Sequence, residues 1–253
     1  MVQTMSQSDT PTAAVLIIGN EILSGRTPDA NLNAIAKKLV GIGIRLAEAR
    51  IVPDIEDEIV AAVNALRARY TYVLTTGGIG PTHDDITADS IGKAFGVAIV
   101  EHPDARARLE SHYTSANLTA SRLRMARMPE GASLIDNPVS AAPGFRIGNV
   151  YVLAGVPNIM AAMLDNVVAT LKHGPTIHSV TVSGYVAESV IAEELGAIAA
   201  HHPDLDIGSY PWVKNARYGT ALVTRGTDQA AVKEAADQIF ALVAKHGGEP
   251  VIE

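Results

Sequence analysis

The chain contains no cysteine. That removes disulfides, thiolate zinc sites and a cysteine nucleophile, and makes a cytoplasmic setting the simplest expectation. Aromatic residues are scarce, at 4%, although 47% of the 253 residues are apolar. The core is therefore expected to be Ala, Val, Ile and Leu, a palette suited to helices packed on a buried sheet. No apolar run approaches the ~20 residues that span a bilayer. The opening MVQTMSQSDTPT has neither the basic nor the apolar segment of a signal peptide and reads as a disordered leader over residues 1–12. Positive charge is in deficit too: a formal net charge of −7 argues against nucleic acid or an anionic membrane as partner.

The most informative stretch runs from Val73 to Ser90, VLTTGGIGPTHDDITADS. A short apolar run passes into the glycine-rich bend Gly77, Gly78, Gly80, Pro81, and a helical pattern follows two carboxylates, Asp84 and Asp85. Glycines let the backbone approach a ligand, and a helix N-terminus offers free N–H groups, so the arrangement favours a phosphate. Two carboxylates beside that phosphate would repel it by several kcal/mol at an effective dielectric of about 20. A divalent cation, Mg²⁺, Mn²⁺ or Co²⁺, would turn the repulsion into coordination. The structural alternative is a capping box, because Thr82 and Asp85 are three residues apart. Neither the Walker loop nor a G-x-G-x-x-G loop is present to name the ligand.

Strands and helices alternate along the first part of the chain. Strands are expected at 13–19, 44–52 and 72–74, and helices at 31–40, 55–69, 86–95, 101–112 and 116–125. A hairpin over 144–147 and 150–153 leads through Gly155-Val156-Pro157 into a helix, a second strand, glycine and helix junction. Alternation of this kind implies parallel strands, with ligands outside their carboxyl ends, which gives the polar loop at Asn20 and Glu21 a functional reading beside ordinary solvation. Arg106, Arg108, Arg122, Arg124 and Arg127 form a basic cluster that either pairs with neighbouring acids or steers a phosphate. The pattern breaks at His173-Gly174-Pro175, which divides the chain at residue 174. Beyond it a β-α-β-β-α order indicates a small α+β domain over 175–253. That segment has no G-x-x-G loop, which argues against RNA clamping.

Five segments together resemble the competence/damage-inducible protein A (CinA) family: GNEILSG from Gly19, TPDAN from Thr27, TTGGIGPTHDDIT from Thr75, NPVxxAPGF from Asn137 and LAGVP from Leu153. The resemblance covers roughly residues 13–172, and Ile207-Gly208-Ser209-Tyr210-Pro211 resembles the KH-type domain that follows in that family. It is also similar to the corresponding domain of eukaryotic FAD synthases. It implies a three-layer α/β/α domain of the molybdopterin-binding MoaB/MogA type over 13–174, with a mostly parallel sheet, followed by the KH-type α+β domain. Full-length members continue into a nicotinamide-nucleotide amidase domain, which the resemblance does not reach, so no amidase activity is expected.

The resemblance further implies metal-dependent hydrolysis of ADP-ribose-like or FAD-like pyrophosphates, with nucleotidyl transfer to molybdopterin as the enzymatic alternative and a non-catalytic pterin- or nucleotide-binding module as the other. Asp85 takes the place of the family's functional acid with Asp84 beside it, both as metal ligands, and Glu21 is a further ligand or base. Gly19, Asn20, Asn31, Thr76, Gly77, Gly78, Gly80, Pro81, Thr82, Gly155 and Pro157 are the expected nucleotide- or pterin-binding positions. The partner implied is a small molecule, and a homo-oligomer is expected. Two departures stand out: Gly19-Asn20-Glu21 where the family usually has Gly-Asp-Glu, and Leu153-Ala154-Gly155 where it has Leu-Pro-Gly. Asn20 keeps a carbonyl oxygen but loses a carboxylate.

Overall fold

In the computed structural model, which describes residues 10–214 and 216–253, strand β1 (Thr12–Ile18) is apolar throughout for a simple reason. Ala13, Val15 and Ile17 enter one core and Ala14, Leu16 and Ile18 enter another on the opposite face. A strand buried on both sides has no polar face to show. Of the leader expected over residues 1–12, residues 1–9 lie outside the described residues, while Thr12 already belongs to β1 and pairs with Arg45.

The chain continues through α1 (Asn20–Leu23), α2 (Asn31–Gly41), β2 (Arg45–Val52), α3 (Glu56–Arg69), β3 (Tyr72–Thr76) and α4 (Thr87–Phe95). Then come β4 (Ile99–Glu101), α5 (Pro103–His112), α6 (Ala120–Leu123), β5 (Arg127–Pro129), β6 (Ser133–Ile135), β7 (Gly144–Ile147), β8 (Val150–Leu153) and α7 (Pro157–Val168). The main sheet has the order β2-β1-β3-β8-β7-β6. Its first four strands are parallel, and β7, antiparallel to β8 on one side and to β6 on the other, extends the sheet by two antiparallel pairings. Helices α2 and α7 cover one face through Ile35, Leu39, Met160 and Leu164. Helices α3, α4 and α5 cover the other through Ile59, Leu66, Ile91 and Leu109. The result is the three-layer α/β/α architecture with a mostly parallel sheet.

The helix expected over 116–125 is cut short. Turn hydrogen bonds from Asn117 and Leu118 to the Thr114 carbonyl occupy its start, and the Thr119 hydroxyl accepts from Arg122 N at 3.3 Å, so helix α6 begins only at Ala120. A 3-10 turn at Arg124–Ala126 ends it, because Arg127 is drawn into a two-stranded sheet with β4. Three-residue strands carry too little periodicity to stand out in sequence.

A second compact unit begins at Pro175. It comprises β9 (His178–Gly184), α8 (Glu188–His201), β10 (Asp206–Lys214), β11 (Arg217–Gly226), α9 (Gln229–Lys245) and a terminal β12 (Val251–Ile252). The sheet, in the order β10-β11-β9-β12, is antiparallel throughout. Ile191 of α8 and Ile239 and Val243 of α9 pack with Val182 and Leu222. Asp228 caps α9 by accepting from Ala230 N at 2.8 Å and Ala231 N at 3.1 Å. Among the described residues no helix is long and apolar enough to cross a membrane.

Candidate functional site

Strands β1, β3 and β8 lie side by side and parallel, so the loops after all three leave the same sheet edge. They meet at Gly77. Its N–H donates to the Leu153 carbonyl at 3.2 Å, and a Cβ there would lie 2.1 Å from the Ile18 carbonyl oxygen at a φ of 102°. Only glycine fits both the space and the backbone angle. Gly155 completes the junction: a Cβ on it would be 3.2 Å from the Gly77 Cα.

The loop then turns back onto helix α4. The Thr87 hydroxyl, fully buried, donates to the Gly77 carbonyl at 2.9 Å, and Thr87 N donates to the Gly78 carbonyl at 3.0 Å. The first amide of α4, expected to face a phosphate, is thus occupied by the loop itself. The helix also starts later than its sequence pattern implies, at Thr87. Asp84 and Asp85 sit in the preceding turn, closed by the Asp85 carboxylate accepting from Thr82 N at 2.8 Å and from the Thr82 hydroxyl. The expected capping pair does meet, but it braces a turn and leaves the helix uncapped by any side chain.

The Thr82 hydroxyl lies within reach of both acids. Its bond goes to Asp85, and together with the Asp84 backbone N–H it also holds the Asp84 carboxyl below the usual carboxylate range. Asp84 itself is largely exposed, and His83 is more so.

Asp85 lines a cleft shared with Gly78, Ile79, Gly80, Ala88, Asp89, Arg124, Met125, Arg127, Pro143 and Phe145. Its enclosed space is about 20 Å³, room for one water, so a larger ligand would lie across its mouth. Arg127 reaches Asp89 at 3.1 Å. The far wall is set by Asn137, which is buried. Its Nδ2 donates to the Ser140 hydroxyl at 2.8 Å and the Ala142 carbonyl at 2.7 Å, while its Oδ1 accepts from Val139 N and Ser140 N. This turn carries the chain to Pro143 and Phe145, which explains why an asparagine opens the NPVSAAPGF segment.

The remaining expected residues lie elsewhere along the strand ends. Asn31, 5% exposed, donates through Nδ2 to the Gly155 carbonyl at 2.8 Å, and its Oδ1 has no partner among the described residues. Asp29 fixes the start of α2 by accepting from Leu32 N at 2.9 Å. Asn20 N donates to Asp54 Oδ2 at 2.9 Å, and the Glu21 carboxylate folds over Gly19. Neither Asn20, Glu21 nor Asn31 lines the Asp85 cleft. Thr76 is buried, whereas Pro81 and Pro157 are exposed, Pro157 in the first turn of α7.

Among the described residues no three histidines or carboxylates converge as a ready-made metal cage. Asp85 and the exposed Asp84 nonetheless suit a hard cation such as Mg²⁺, which is commonly held by one or two carboxylates and completed by substrate phosphates. Reading the sequence missed Asp89, Arg124, Arg127, Pro143 and Phe145 as lining residues. The signals were present, in the arginine cluster and in the APGF segment, but only the fold brings them to the glycine loop.

Comparison with known proteins agrees with this fold. Residues 14–173 match the model of the probable molybdopterin binding domain, and residues 176–249 match that of the FAD synthase middle domain. A protein from Pyrobaculum calidifontis is 36% identical, over 79% of this chain and 81% of its own length. A CinA-like protein from Desulfosudis oleivorans is 33% identical over 94% of this chain, which spans only 60% of that longer relative. The crystal structure of the protein CinA, of unknown function, from Thermoplasma acidophilum is 37% identical with a TM-score of 0.59, covering 62% of this chain and 95% of that one. The chain therefore belongs to the CinA-like family, built on a MoaB/Mog-type molybdopterin-binding domain and followed here by a domain of the FAD synthase middle type.

Proposed function

We propose that the first unit is a metal-dependent nucleotide pyrophosphatase acting on ADP-ribose or an FAD-like dinucleotide. The observation that carries this reading is that Asp85 shares one cleft with the backbone of Gly78 and Gly80 at the carboxyl edge of a parallel sheet. Ligands of open α/β sheets bind at that edge. The glycines let phosphate oxygens approach the backbone, and the Thr82 N–H and hydroxyl fix the Asp85 carboxylate before any ligand arrives. Ala88, Met125 and Phe145 give the cleft an apolar wall that limits water. A divalent cation bound at Asp84 and Asp85 would neutralise the bridging oxygens and lower the pKa of an attacking water. Asn31, with its free Oδ1, would accept a hydrogen bond from the ligand on the other side of the strand ends.

The match to a molybdopterin-binding family favours nucleotidyl transfer to a pterin as the second reading, which uses the same acid and metal. Products separate the two. Purified protein incubated with ADP-ribose or FAD and Mg²⁺, Mn²⁺ or Co²⁺ should release AMP, and Asp85→Asn should lower that rate by about 100-fold or more while the fold is retained. Absence of cleavage with every metal would end the hydrolase reading.

A further inference from the structure

Four of the five arginines clustered in the sequence are engaged. Arg106 pairs with Glu101 and Glu110, Arg108 with Asp136, and Arg127 with Asp89. Arg122 donates to the Asn117 carbonyl and lies over the Tyr113 ring, 4.3 Å from its centroid. Arg124 is the exception. It is half-buried in the cleft wall beside Gly78, Gly80 and Asp85, yet its side chain makes no hydrogen bond or ion pair with any described residue.

Its position is not left to a flexible loop. Arg124 opens the 3-10 turn, and the next-but-one residue, Ala126, is fully buried and accepts from His102 N at 2.9 Å. Met128, 1% exposed, fixes the chain beyond it in β5. A guanidinium in a cleft wall with no protein acceptor keeps its fork of donors available to a ligand. Of the cleft's charges, Arg127 and Asp89 neutralise each other, and Asp85 is turned toward Thr82. One cation is left facing the glycine loop.

We propose that Arg124 is the phosphate anchor of this cleft, donating to the oxygens of a nucleotide phosphate whose other side lies against the Gly78–Gly80 backbone. The planar fork of donors suits a phosphate better than a lone ammonium would. The proposal rests on the nucleotide reading of the cleft but not on hydrolysis. Arg124 is a binding and positioning residue, and its contribution does not require the metal.

The test is calorimetric binding of AMP to the full chain, with Mg²⁺ and with chelator. Arg124→Gln should weaken AMP about 10- to 100-fold in both conditions, as expected for loss of a charge-assisted hydrogen bond. Arg124→Lys should recover part of the affinity, Arg122→Gln should leave it unchanged, and the salt dependence of binding should flatten in Arg124→Gln. Circular dichroism confirms the fold of each variant. Unchanged affinity in Arg124→Gln overturns the proposal, as does a wild-type protein that binds no AMP in either condition. If wild type forms no AMP from ADP-ribose while Arg124→Gln still weakens AMP binding, the hydrolase reading fails and the anchor stands.

Discussion

Two junctions of one kind lie side by side at the carboxyl edge of the main sheet. From β8 to α7 the chain needs only residues 154–156, with Pro157 in the first helical turn, where a missing N–H and a preset φ cost nothing. From β3 to α4 it spends residues 77–86, folds two of those carbonyls back onto Thr87, and leaves Asp84 and Asp85 in a turn braced by Thr82. The short junction positions a helix. The long one carries two acids beyond the sheet edge, and the short one backs it, since Gly155 lies against Gly77.

The sharpest way to break that comparison is to add the same methyl group to each junction. Gly77→Ala forces a side chain into the Ile18 carbonyl at a positive φ and should destabilise the first unit by about 3 kcal/mol or more. Gly155→Ala needs a shift of a few tenths of an ångström and should stay within about 1 kcal/mol of wild type. Urea denaturation of both variants decides it, and equal effects would mean that the two loops bear the junction alike.

A smaller effect, far from both loops, sets the baseline. At Glu48 on the edge strand β2, the Tyr70 hydroxyl donates at 2.6 Å and Arg50 Nε at 2.6 Å, and these bonds hold the carboxyl below its ordinary value of 4.5. A depressed carboxylate contributes stability above that ordinary value and loses it as pH falls through the lower folded one. Melting temperatures between pH 6 and pH 3 should fall slightly less in Glu48→Gln than in wild type, with no change in AMP binding at neutral pH.

Most of the architecture was legible because it rests on burial. The run Ala13–Ile18 reads as a two-sided strand, and the β7–β8 hairpin falls on the residues that Gly148-Asn149 marks as its turn. Elements held by partners distant in sequence were hidden. β4 and β5 exist only through each other, and β12 through its pairing with β9. The site divides in the same way. Gly77, Gly78, Asp84 and Asp85 announce themselves by spacing, whereas Arg124 looked like four neighbours that turned out to be paired. The spacing of Thr82 and Asp85 also announced their contact, but not that it would brace a turn and leave the helix at Thr87 without a side-chain cap.

The most direct measurement is the affinity of the Asp85→Asn variant and of wild type for ADP-ribose, each titrated with and without Mn²⁺. The account requires that Mn²⁺ tighten wild-type binding at least about tenfold, and that the variant lose this gain while keeping the metal-free affinity supplied by the glycine loop and Arg124. Binding that is equally tight with chelator in both proteins would show that the acids and the phosphates never share a cation, and would contradict it.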